Sequence, residues 1–196
     1  MKIVAVTRSK SIHVSTLNSI LMINRNKNID VVFISNMKDL KKFLKNEDRL
    51  IFLNYGANIN EECVETMFAP MPKGYHVMVF PAVKEGIDWN LFKKKTLEGS
   101  KEPVEQRGLK FDTVVDKQFG DYLWSVANTE AVVWAMDVKP VDKIIRGQLL
   151  PGETFLEDIR KLGVKICACT QARCTQTYVH TCVANILETY GVTINK

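Results

Sequence analysis

Strand-like and helix-like segments alternate through the first 80 residues of this chain, and that alternation limits its topology more than any other feature. Residues 2–7 (KIVAVT), 30–35 (DVVFIS), 49–53 (RLIFL) and 75–80 (YHVMVF) are short apolar runs rich in β-branched and aromatic residues. Runs of this length that stop at polar residues have the pattern of buried strands. Helical patterns lie between them. One is capped by Ser11 and carries Val14, Leu17, Ile20 and Leu21 on one face. A second covers 37–46, with Met37, Leu40 and Leu44 inward and lysines outward. A third is capped by Asn60 and has Glu61 and Glu62 in its first turn, where acids suit the helix dipole. Strands joined through single helices need crossover connections, which make a parallel sheet covered by helices. The expected fold is α/β, a mostly parallel central sheet with helices on both faces. Ligands of such sheets gather at the carboxyl ends of the strands. Here those ends are Thr7-Arg8-Ser9, Ser35-Asn36 and Asn54-Tyr55-Gly56.

The rest of the chain changes texture. A helix over 88–95 is capped by Asp88 and turns Trp89 and Phe92 inward, while 98–121, with Gly99, Pro103, Gly108 and Gly120, reads as irregular chain. Residues 122–126 and 131–136 read as strands around a turn at Asn128-Thr129. Thr154-x-x-Glu157 has the form of a capping box, and Gly163 ends that helix. A strand follows over 164–169, then a long helix capped by Thr170 and ending at Gly191. The 196 residues therefore read as one domain in three parts: a nucleotide-binding half over 1–85, substrate-facing loops and strands over 86–150, and a closing helix-strand-helix over 151–196.

Composition excludes several classes. Apolar residues make up 46% and charged residues 25%, which fits a globular chain and neither a disordered nor a fibrous one. No apolar run approaches the roughly 18 to 20 residues of a membrane span. The opening MKIVAVTR meets a charge too early for a signal-peptide core, so the expected location is cytoplasmic. A net charge of +5 suits anionic ligands, without the aromatic interleaving of a single-strand nucleic-acid binder. There is no Walker A loop, no Gly-x-Gly-x-x-Gly after the first strand, no Gly-x-Ser-x-Gly elbow and no His-Glu-x-x-His pair.

Four of the five cysteines, Cys167, Cys169, Cys174 and Cys182, crowd the last quarter with His180 between the last two. A zinc site is one reading; buried thiols packed as small apolar residues are the other, and strand alternation together with the 174, 178, 182 helical stripe favours it. No metal ligand is assigned. His13, near a helix start, reads as a cap or surface residue or as a phosphate contact, and His76, within a strand, as structural.

The segment 6–21 (VTRSKSIHVSTLNSIL) resembles the opening of A-type, family 2-like glycosyltransferases, in which a Thr/Arg loop leads into a helix with this kind of face. Residues 49–62 are similar to that family's strand, acidic motif and helix, and 155–166 (FLEDIRKLGVKI) to its acidic pair, arginine-bearing helix, glycine and strand. The resemblance implies a protein that takes a sugar from a nucleoside-diphosphate sugar and gives it to a glycan or protein acceptor. It implies Thr7, Arg8, Ser35 and Asn36 around the nucleotide, Asn54 and Asn58 near the diphosphate, the loops and strands over 86–150 on the acceptor side, and Asp158 or Asp137 as general base. Trp89 is either a stacking platform for the sugar or a core residue. The family's Asp-x-Asp motif holds a divalent cation against the diphosphate, but its position here reads Asn54-Tyr55-Gly56, which has no carboxylate. Transfer without Mn²⁺ or Mg²⁺ would need cationic side chains, with Arg8, Lys10 and Arg173 the ones to hand. The Asn- and Lys-rich texture also resembles that of proteins from large DNA viruses, which glycosylate their capsids in the host cytoplasm and reuse enzyme folds as virion parts. A non-catalytic virion or scaffold protein, with capsid proteins as partners, is the alternative to an enzyme, and a nucleic-acid-associated basic protein is a third reading.

Overall fold

The computed structural model describes residues 1–44, 47–84, 87–101, 103–104, 107–147, 151–172 and 174–176. Its centre is an eight-stranded sheet. In chain order the strands are β1 (Lys2–Val6), β2 (Val31–Ile34), β3 (Arg49–Leu53), β5 (Val77–Val79), β6 (Thr113–Gly120), β7 (Leu123–Thr129), β8 (Val133–Asp137) and β9 (Ile166–Cys169). The short β4 (Ala57–Ile59) lies outside it and pairs antiparallel with β10 (Cys174–Gln176). Across the sheet the order is β2-β1-β3-β8-β5-β9-β7-β6. β1 is parallel to both β2 and β3, and β5 is parallel to β9. β8 and β7 run against their neighbours, so the sheet is mostly parallel with two reversed strands.

Strand alternation divides the core between the two faces of the sheet. On one face Ile3, Ala5, Ile51 and Leu53 meet Ile20 and Ile23 of helix α1 (Val14–Lys27) and Cys63, Val64 and Met67 of α2 (Glu61–Phe68). On the other face Val4, Leu50, Phe52, Trp134 and Met136 are covered by α4 (Val138–Ile145), α5 (Phe155–Lys161) and a 3-10 turn at Met37–Lys42. Helix α3 (Trp89–Leu97) buries none of its residues. Residues 49–53 are buried on both faces, which is why that strand reads as an unbroken apolar run.

Several expectations need correction. On α1, Val14, Leu17 and Leu21 are exposed, and the inward face is Thr16, Ser19, Ile20 and Ile23. The hydroxyls are needed inside. Thr16 Oγ1 accepts from the Gly56 amide at 2.9 Å and Ser19 Oγ from the Ile59 amide at 3.2 Å, so both satisfy the turn into β4. The N-cap is His13, through Nδ1, rather than Ser11. Residues 113–120, expected to be irregular, form edge strand β6; its hairpin partner is β7, turning at Tyr122 with φ 60°. β7 and β8 do not pair with each other around residues 128–129. Trp89 is 68% exposed and rests edge-on against Phe92.

The capping box at 154–157 does not form, because Glu157 is engaged elsewhere and Thr154 donates to Asp158. Residues 174–176 are strand where a helix was expected, and the remainder of that expected helix, with Tyr178, His180 and Cys182, lies outside the described residues. The Asn60 and Asp88 caps form as expected, accepting from Cys63 and Leu91 amides, and Gly163 ends α5 with φ +96°.

Candidate functional site: a cleft at the strand ends

A cleft of about 610 Å³ opens at the carboxyl ends of β1, β2 and β3. The chain creates it simply: three parallel strands end together, and each continues into a polar loop rather than directly into a helix. Val6, Phe52, Trp134 and Phe155 make its apolar floor, with Phe52 and Trp134 stacked at 4.7 Å between centroids. Thr7 and Arg8 form one wall, and Ser35, Asn36, Met37 and Lys38 continue it. Asn54 stands at the centre. Thr129, Glu130, Ala131, Pro151, Gly152 and Glu153 complete the lining.

Each wall is anchored to the fold. Thr7 donates both its amide (2.8 Å) and its hydroxyl (3.3 Å) to the Ile34 carbonyl. The Asn36 side chain accepts from the Lys38 amide at 2.9 Å and so caps the 3-10 turn. Asn54 Oδ1 accepts from the Tyr55 amide at 2.8 Å, and the Asn54 amide donates to the Val132 carbonyl.

The facing wall, 129–132, hangs on two carboxylates. Glu157 accepts from the Thr129 amide at 2.9 Å and is held by Arg160 at 2.9 Å. Burial works against its charge, but the bonds from Arg160 and Thr129 outweigh it and keep its carboxyl below the usual range. Asp112 is buried. It accepts from the Ala82 amide (3.1 Å), the Thr113 hydroxyl (2.9 Å) and the Val132 amide (3.3 Å), yet burial still raises its pKa.

Charge is divided across the opening. Among the described residues neither Arg8 nor Lys38 has a carboxylate partner. Opposite them, Glu130 is paired with Lys84 at 2.5 Å and Glu153 is exposed. Of the residues singled out in the sequence, Thr7, Arg8, Ser35, Asn36 and Asn54 come together here. Asn58 lies in β4, facing Thr175 across the two-stranded ladder. Asp158 does not line the cleft; it accepts from the Thr154 hydroxyl at 2.8 Å.

Asp137 sits where the reversed β8 ends, beside the start of β3 and so at the other end of the strands from the cleft. It pairs there with Arg49 at 2.7 Å. Reversal of β8 accounts for this, since the end of an antiparallel strand lies beside the start of its neighbour. Lys38, Glu130, Glu153 and the Phe52/Trp134 floor escaped the sequence reading. Lys38 follows a strand end by four residues and could have been found by that position; the two glutamates depend on long-range pairing.

The donor set does not fit a divalent cation. Asn54 Oδ1 is already engaged, Tyr55 carries no charge, and no group of three or more His, Cys, Asp or Glu side chains suited to a metal occurs among the described residues. The four described cysteines, Cys63, Cys167, Cys169 and Cys174, are buried thiols, and burial pushes Cys63 and Cys167 up to about 12. No helix among the described residues is long and apolar enough to cross a membrane.

No family model and no curated protein sequence matches the chain. Solved structures do share its fold. A197 from STIV superposes with a TM-score of 0.54 at 16% identity, covering 90% of this chain and 85% of that one. GalNAc-T7, solved with UDP, GalNAc and Mn²⁺, superposes with a TM-score of 0.51 at 10% identity, over 90% of this chain and 43% of that one. The chain thus has the fold of nucleotide-sugar transferase-like proteins, and spans less than half of the glycosyltransferase-fold protein it matches.

Proposed function

We propose that the cleft binds a nucleoside-diphosphate sugar and that the protein transfers the sugar to a glycan or protein acceptor. The observation that carries this reading is the division of charge. Two cations without a carboxylate partner among the described residues, Arg8 and Lys38, line the strand-end wall where a diphosphate would lie, and the same cleft is lined by two carboxylates, Glu130, which is paired with Lys84, and Glu153. Thr7, Ser35 and Asn36 hold the nucleotide end, Asn54 lies near the diphosphate, and residues 86–150 face the acceptor. In the transfer, the acceptor hydroxyl oxygen bonds to the anomeric carbon and the bond from that carbon to the diphosphate oxygen breaks. The nucleoside diphosphate leaves, and a carboxylate takes the hydroxyl proton. Glu153 is the best-placed base, being in the cleft and without a cationic partner among the described residues; Asp158 and Asp137 lie outside it, bonded to Thr154 and Arg49.

A second reading rests on the missing carboxylate at Asn54-Tyr55-Gly56: a non-catalytic scaffold or virion protein that keeps the cleft without the chemistry. Thermal unfolding with UDP- and GDP-sugars separates the two. A donor at a hundredfold excess over its Kd stabilises by about 2.7 kcal/mol, which is roughly 5–10 °C in Tm for a chain of this size. A shift reduced by Arg8→Ala, followed by product formation, supports the enzyme. No shift with any donor leaves the scaffold reading.

A further inference from the structure

Tyr55, the middle residue of Asn54-Tyr55-Gly56, is part of an ordered unit. The Arg8 guanidinium lies over the Tyr55 ring, 5.0 Å from its centroid. His13 braces the same ring edge-on at 5.2 Å, and is itself fixed because its Nδ1 accepts from the Ser15 amide at 3.2 Å. The backbone under Arg8 is equally constrained. Arg8 and Ser11 exchange amide–carbonyl bonds of 3.0 and 2.9 Å across a two-residue turn in which Ser9 and Lys10 both take positive φ, 49° and 61°. Non-glycine residues held there carry strain, and such strain gathers at ligand-binding turns. Tyr55 is placed by its amide bond to Asn54 and by Gly56, whose φ of 83° brings the amide to Thr16.

We infer that Arg8, presented by the Tyr55 ring, is the cation that meets the donor's diphosphate in this protein, so that donor binding needs no divalent metal; Tyr55 is its positioning residue. The inference rests on the nucleotide-sugar reading of the cleft. Its logic is electrostatic. A carboxylate at position 55 would pair with Arg8 and cancel its charge. An aromatic ring instead attracts the guanidinium by its face and leaves the five N–H donors in the guanidinium plane free for phosphate oxygens. The ring therefore holds an organic cation beside the segment 54–56, which carries no carboxylate.

Calorimetry in EDTA with UDP and GDP, and NMR titration with uridine and guanosine, test this on the full chain. For the wild type we expect diphosphate affinity unchanged on adding Mn²⁺. Arg8→Ala should weaken diphosphate binding about 10- to 100-fold, as loss of a charged hydrogen-bonding partner does, and leave nucleoside binding unchanged. Tyr55→Leu should weaken diphosphate binding about tenfold with the nucleoside again unaffected, and Tyr55→Phe should stay within about threefold of wild type because the ring face remains. A ring that matters only for folding would lower both affinities together. Equal loss of nucleoside and diphosphate in Tyr55→Leu, wild-type affinity in that variant, or diphosphate binding that requires Mn²⁺ overturns the inference while leaving the nucleotide-sugar reading in place. If the wild type binds none of the four ligands, the nucleotide-sugar reading falls and the inference with it.

Discussion

Asp112 ties three segments together at the back of the cleft, and its removal should be felt well beyond its own position. Its side chain accepts from the Ala82 amide after β5, from the Val132 amide ahead of β8 and from the Thr113 hydroxyl. Its backbone also bonds Ala82 and Glu130. In Asp112→Ala the backbone bonds survive and Thr113 keeps Thr129 as a partner at 2.9 Å. Two buried amides lose their acceptor. At about 1–3 kcal/mol each, and with the burial penalty of the carboxylate relieved in part, the net loss is about 3 kcal/mol. Urea unfolding at neutral pH, followed by the fluorescence of buried Trp134, measures it. Asp112→Asn keeps one acceptor and turns its amide toward Val132, so its loss should be roughly half as large.

The pH dependence gives a second readout of the same residue. Burial raises the folded-state pKa of Asp112 above its ordinary 3.8. The stability linked to its proton is therefore complete below the unfolded value and disappears as the pH rises through the folded value. The wild type should gain on Asp112→Asn as the pH is lowered through that window. A loss below about 1 kcal/mol in Asp112→Ala, or an advantage over Asn that shrinks on acidification, would refute the reasoning.

Other outcomes follow from the same geometry. Arg49 is buried and bonds Asp137, the Met67 carbonyl and the Ala69 carbonyl, so Arg49→Ala should lose about 3–5 kcal/mol in chemical denaturation by stranding a charge and two carbonyls. Asp137→Asn should lower stability while leaving donor binding in the thermal-shift assay intact, as its place at the other end of the strands from the cleft requires. Glu153→Gln should abolish transfer with little change in donor affinity, whereas Asp158→Asn should leave both transfer and donor affinity unchanged; product formation and calorimetry separate them. Cys63 and Cys167, pushed up to about 12 by burial, should resist iodoacetamide at pH 8 in the native protein and react fully in urea, as mass spectrometry will show. Gly163→Ala has free space around the new Cβ but a φ of +96°, so it should lose about 1 kcal/mol from backbone strain alone.

What could be read from the sequence was local. The strands at 2–6 and 49–53 were legible because they are buried on both faces, and edge strand 31–34 because its VVFI run is apolar throughout; all three end at polar residues, and the cleft residues Thr7, Arg8, Ser35, Asn36 and Asn54 follow from those ends. β6 was not legible. As an edge strand it is exposed along nearly all its length and its VVDKQFG pattern has no apolar face to declare. α1 misled because its exposed side carries the leucines and its buried side carries the hydroxyls that β4 requires. The reversal of β8, which separates Asp137 from the cleft, depends on pairing between distant segments and leaves no mark in either.

That reversed strand also governs how the protein is made. Arg49 and Asp137, paired across β3 and β8, are 88 positions apart. At roughly 5–20 residues per second a ribosome takes roughly 4 to 18 seconds to travel between them. Throughout that interval β3, buried along its whole length in the finished fold, has one ladder edge without its native neighbour, in the geometry that invites pairing with another nascent chain. Yield in cells should therefore respond to translation speed between codons 54 and 137 more than to any change in the strength of the finished core.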